Sequence, residues 1–65
     1  MKYEFTDETT VVFGITLHRI KATETFADVE AGQLGGFIEK IENLAVSGDA
    51  WVSGDAWVYG DARVS

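Results

Sequence analysis

The sequence predicts an all-β protein in which an N-terminal β-hairpin and strand cap a minimal coil of short strands. Three observations predict it. β-Branched residues crowd the segment 10–20, "TVVFGITLHRI", and branching at Cβ favours extended backbone. Valines at 46, 52, 58 and 64 recur every six residues, a period that suits short strands joined by corners. No proline occurs and no Gly/Ser-rich linker divides the chain. Residues 1–65 therefore read as one domain, with 1–41 as a β cap and 42–65 as the repeat.

In the cap, Tyr3 and Phe5 alternate with polar neighbours, which predicts a short strand. "TDET" at 6–9 supplies turn chemistry, so a hairpin between 3–5 and 10–14 is the simplest local reading. Beyond it, Val11, Phe13, Ile15 and Leu17 share one side of an extended run, with Val12, Thr16, His18 and Ile20 on the other. Gly14 then marks a bulge or bend. "ATETF" at 22–26 is a weaker candidate for a helix start. "EAGQLGG" at 30–36 reads as a turn, and "FIEKI" at 37–41 is extended again.

The repeat "GDAWVSGDAWVYGDARVS" fills 48–65. Ala50, Ala56 and Ala62 stand two residues before Val52, Val58 and Val64, as Leu44 stands before Val46. Residues two apart share a face of a strand, so these eight are the predicted inward, core-packing set. Ala45, Trp51, Trp57 and Arg63 then face outward. Gly-Asp pairs at 48–49, 54–55 and 60–61 are corner chemistry, because both residue types tolerate left-handed backbone. Three hexads, about 18 residues, would close one turn. By that period Leu44 lies under Ala62, Val46 under Val64, and Ile41 beneath Tyr59.

These hexads resemble those of the hexapeptide-repeat superfamily, whose fold is the left-handed parallel β-helix. The tandem "GDAWV", "GDAWV", "GDARV" looks like arrays in some bacterial and phage proteins. "LGGFIEKIENLAVSGDAWV" at 34–52 is similar to the entry into such an array in short phage or prophage proteins. The resemblance implies a minimal left-handed parallel β-helix coil. It also implies a free-standing protein that inhibits a bacterial anti-phage defence by binding a host protein in the cytosol, and the residues themselves predict no catalysis. A helicase-containing defence of the Hachiman type is one specific target. The alternative is a structural capping or oligomerisation module of a longer β-helical fibre.

Composition narrows the function further. A 65-residue chain buries only about 60% of its unfolded surface, so it commonly needs a staple. With no Cys and one His, neither a disulfide nor a Cys/His zinc site is available. The remaining device is oligomerisation, a homodimer being favoured, with a second copy continuing the burial that the repeat leaves off. The net charge of −6 argues against direct nucleic-acid binding, which draws on Lys and Arg. No apolar run reaches the roughly 20 residues of a membrane span. Cytoplasmic placement is the expectation.

No catalytic, cofactor or metal constellation emerges. His18 lies outside the hexads and matches no general-base position of the acyltransferases that share the resemblance. Asp49, Asp55 and Asp61 fall on different faces of a coil, so they do not converge as a hard cation requires. One Asp per corner also forms no row that would mimic nucleic acid. "GQLGG" lacks the Lys-Ser/Thr of a phosphate loop. A basic pocket for a small signalling molecule could draw only on Arg19, Lys21 and Arg63. The outward aromatics are more informative, because interfaces use such residues as anchors. Ile41, Trp51, Trp57, Tyr59 and Val64 are accordingly the predicted interface residues.

Overall fold

The computed structural model describes residues 1–65 and is all-β. Strands β1 (Tyr3–Val12), β2 (Ile15–Ala22), β3 (Leu34–Ile38) and β4 (Trp57–Val58) form one mixed sheet in the order β1-β2-β3-β4. The first two pairings are antiparallel and the third is parallel.

β1 and β2 make a long hairpin that reverses at Phe13–Gly14, not at residues 6–9. Val12 pairs with Ile15, so the loop has two residues, and both lie at positive φ, +52° and +76°. Paired left-handed residues give the two-residue turn whose twist matches the flanking strands. The expected bend at Gly14 is thus the reversal itself. The "TDET" segment instead forms an irregularity within β1: the register shifts between Phe5, opposite Ile20, and Thr9, opposite His18. The Thr6 hydroxyl fastens it, donating to the Arg19 carbonyl at 3.0 Å and accepting from the Glu8 N–H.

No helix begins at "ATETF". Phe26 and Val29 exchange both backbone hydrogen bonds around a tight reversal with Ala27 at φ +45°. The turn predicted at 30–36 ends early, and Gly35 and Gly36 belong to β3. Their role there is close approach. A Cβ on Gly35 would stand 2.6 Å from Trp51 Cζ2 and 2.8 Å from Ile20 Cγ1, and one on Gly36 would stand 2.6 Å from Val52 Cγ1.

After β3 the chain winds back over itself. Phe37 pairs in parallel with Trp57, Ile38 with Val58 and Leu44 with Val64, so the partners stand 20 residues apart in every pair. The expected interval was about 18, with Leu44 under Ala62. A 3-10 turn at Ile41–Asn43 lies within the circuit that joins the first two pairs. The corners fall at the Gly-Asp pairs, with Gly48, Gly54 and Gly60 at φ +74°, +61° and +62°.

The core lies between the sheet and this winding: Tyr3, Ile20, Ile38, Leu44, Val52 and Val58, with Ala50, Trp51 and Val64 packed at its margin. Leu44, Val52, Val58 and, in part, Ala50 therefore face inward as expected. Val46, Ala56 and Ala62 are exposed. For Val46, at 47% exposure, the cause is the two-residue shift, which pairs Val64 with Leu44 and leaves Val46 beyond the rung. Ala56 and Ala62 flank corners, and their carbonyls rather than their methyl groups make the contacts to the first circuit.

Candidate functional site

Pairing register decides which side chains share a face. Arg19 stands opposite Phe37, and Phe37 opposite Trp57, so these three form one row across β2, β3 and β4. On the other face the row is His18, Ile38 and Val58, which enters the core.

The Arg19 row lies on the face away from that core. The Arg19 guanidinium lies 4.4 Å from the Phe37 ring centroid. It also donates to the Gly35 carbonyl at 3.0 Å and to Asp55 Oδ1 at 3.1 Å. Its Nε lies 3.1 Å from Glu8 Oε2, but the N–H is not aligned on that oxygen, so the contact is an ion pair without a hydrogen bond. Arg19 thus joins β1, β3 and a Gly-Asp corner. Phe37 packs with Val12 and Leu17 in a second buried cluster, against which Ile15 and Tyr59 rest.

Beside the Arg19 ion pairs, three aromatics border that cluster. Trp57 is 53% exposed. Tyr59 is half-buried, with its ring centroid 6.2 Å from that of Phe13. Phe13 is 84% exposed at a backbone position of φ +52°. Bulky side chains seldom occupy that region, and its ring rests in solvent. Sequence reasoning missed Phe13 because it was read as a strand residue; the signal was its place before the Gly of a two-residue loop.

The other predicted interface residues divide. Ile41 is exposed at the 3-10 turn, but the interval of 20 places Glu39, not Ile41, beneath this corner, and Glu39 Oε1 accepts the Gly60 N–H at 2.8 Å. Trp51, expected to face outward, turns in. Its ring meets Gly35 and lies edge-on to Phe26 at 5.5 Å, while its indole N–H is buried without a partner. Val64 likewise packs on the core. For Trp51 the cap, through Gly35 and Phe26, covers what the hexads alone would leave open, whereas Val64 keeps the inward place that the hexad gives it.

Three polar residues, of which the sequence singled out only Tyr3 and that as a strand residue, hold cap and winding together. Lys2 is buried, and its ammonium donates to the carbonyls of Gly48 (3.0 Å) and Ala50 (2.7 Å) while lying 4.6 Å from the Phe26 ring centroid. The Tyr3 hydroxyl donates to Leu44 O at 2.8 Å. Burial raises its pKa above 10.0, and the negative charge of Glu42 adds to the rise. Asn43 is fully buried; its Oδ1 accepts the Lys40 N–H, and its Nδ2 donates to Gly60 O and Ala62 O.

His18 stacks on Phe5, with ring centroids 4.7 Å apart and an interplanar angle of 3°. Asp55 binds Arg19, and the corner aspartates do not gather with other potential ligands into a metal-binding group. No helix is long and apolar enough to cross a membrane. No family model matches the chain, and no curated protein is significantly similar to it in sequence.

Proposed function

We propose that this chain is a non-catalytic binding protein that self-associates and acts through the apolar surface formed by Trp57, Tyr59 and Phe13. On this reading the segment 42–65 is a minimal left-handed β-helical coil of the phage hexapeptide-repeat kind. Its role is to bind a host protein of a bacterial anti-phage defence, with a Hachiman-type system as one target.

The observation that carries the self-association is the contrast between the two edges of the sheet. β1 is guarded by Glu4, Asp7, Glu8 and an internal irregularity, devices that discourage edge pairing. β4 and its neighbours, "AWVY" at 56–59, carry no charge and no proline. Trp57, on that edge, adds an aromatic of roughly 150–250 Å². Sedimentation equilibrium at micromolar concentration tests the reading. A dimer that Trp57→Ala dissociates, with circular dichroism unchanged, supports it, and a folded monomer throughout rejects it.

The parallel stacking at an interval of 20 residues favours a second reading, in which β4 is the template for further rungs of a fibre. Concentration-dependent growth beyond any closed oligomer would select that reading, because an open template does not saturate.

A further inference from the structure

The five basic residues are unevenly employed. Lys2 serves two backbone carbonyls, and all three ion pairs of the molecule use Arg19 or Lys21. Lys40 Nζ and the Arg63 guanidinium enter no ion pair and no hydrogen bond. These two cations, 23 residues apart in sequence, line the same cleft of about 240 Å³.

Glu42 and Asp61 line it as well, and neither carboxylate lies within ion-pair distance of a cation. The placement is built into the fold. Asn43, fully buried, holds Lys40 by its backbone N–H and binds the carbonyls of Gly60 and Ala62 on either side of Asp61. The 3-10 turn and the last Gly-Asp corner are thereby fixed against each other, with a charge of each sign on each.

Two cations and two carboxylates leave this cleft without net charge. A bare anion gains from Lys40 and Arg63 what it loses to Glu42 and Asp61, and a bare cation fares no better. A molecule bearing both signs gains from all four. The volume lies below the roughly 300–1,000 Å³ of pockets for drug-sized ligands, and only one lining residue is apolar. We propose that this cleft binds a small zwitterion of the amino-acid class, its carboxylate on Lys40 and Arg63 and its ammonium on Glu42 and Asp61. The inference stands on the charge pattern and is independent of the apolar surface.

The test is a titration of the ¹⁵N-labelled chain with glycine, β-alanine and 4-aminobutyrate, which separate the two charges by increasing lengths. Acetate and methylammonium serve as the half-ligands. The expected result is saturable shifts of the amides at 40–43 and 60–63 with one length preferred, and no saturation with either half-ligand. Lys40→Gln with Arg63→Gln should weaken binding roughly ten-fold or more, as charge-assisted contacts make up most of so small a ligand's affinity. Retained amide dispersion shows that this variant is folded. Absence of saturable shifts at tens of millimolar overturns the proposal. So does acetate reproducing the full shift pattern, which would make the cleft a simple anion site, or a folded double variant that binds as well as the parent.

Discussion

The side-chain amide of Asn43 donates to the Ala62 carbonyl at 2.8 Å, so a residue of the first circuit holds the backbone of the second from within. The same nitrogen reaches Gly60 O at 3.1 Å, and Oδ1 takes the Lys40 N–H at 2.9 Å. Asn43→Leu would leave these three groups without their partner. An orphaned buried group costs about 1–3 kcal/mol, and these three are part-buried, so the total should be about 3 kcal/mol, the lower end of that range for each. Asn43→Asp should be no milder, because a carboxylate cannot donate to two carbonyls. Urea unfolding of both variants checks this.

The glycines of β3 should tolerate no side chain. Gly36→Ala would put a Cβ 2.6 Å from Val52 Cγ1 and 2.7 Å from the Ala56 carbonyl, and overpacking of this kind costs about 1–3 kcal/mol. Gly54→Ala has open space around it but φ of +61°, so its cost is conformational and about 1 kcal/mol. The thermal midpoints should rank parent above Gly54→Ala above Gly36→Ala.

The register of the repeat is testable with two valines. Val52 is buried in one cluster with Tyr3, Ile20, Ile38, Leu44 and Val58, and Val52→Ala should cost about 1–3 kcal/mol through lost methyl contacts and the cavity left. Val46→Ala, at a half-exposed position, should cost less than about 0.5 kcal/mol. Equal losses would mean that the two-residue shift is wrong.

High pH should loosen the cap through Tyr3. Its folded pKa is raised from 10.0 by burial and by Glu42, so the folded state disfavours the phenolate. The contribution is fully present below the unfolded value and is lost as pH rises through the raised folded one. Between about pH 9 and pH 11 the parent's denaturation midpoint should fall more steeply than that of Tyr3→Phe. At neutral pH, Tyr3→Phe should be weaker by about 1 kcal/mol from the lost hydrogen bond to Leu44.

Phe13 should trade folding against binding. Asn accepts left-handed backbone more readily than Phe and favours this turn, so Phe13→Asn should raise the thermal midpoint by a few degrees, about 0.5–1 kcal/mol. On the proposed function it should also weaken association. A variant that is more stable and associates as well as the parent would remove Phe13 from the binding surface.

What the sequence made legible followed from local periodicity. Alternation and β-branching announced strands, and the Gly-Asp pairs announced corners whose glycines do lie at left-handed φ. Leu44, Val52 and Val58 were readable as inward because they obey the hexad. What escaped depends on contacts between distant residues. Trp51 turns inward only because Gly35 leaves room for its ring and Phe26 covers it, and no spacing within 48–65 contains that information. The interval of 20 is set by pairing between the two circuits, which the six-residue period does not contain, and the buried Asn43 in "IENLAV" carries no periodic signal. The hairpin was misplaced for a local reason: "TDET" has better turn composition than "FG", yet only the pairing of Val12 with Ile15 satisfies both long strands.

The clasp made by Lys2 and Tyr3 sets an order of events in time. The β1–β2 hairpin joins neighbours in the chain and can form within microseconds. Lys2, by contrast, meets Gly48 and Ala50 across 46 and 48 positions, and Tyr3 meets Leu44 across 41. Loop closure of that span must be completed before those contacts repay it, so it belongs to the slow part of the reaction. A hairpin without the winding leaves one side of Tyr3 and Ile20 bare and is marginal by itself, so it is the late arrival of Leu44 and Val52 that makes it last.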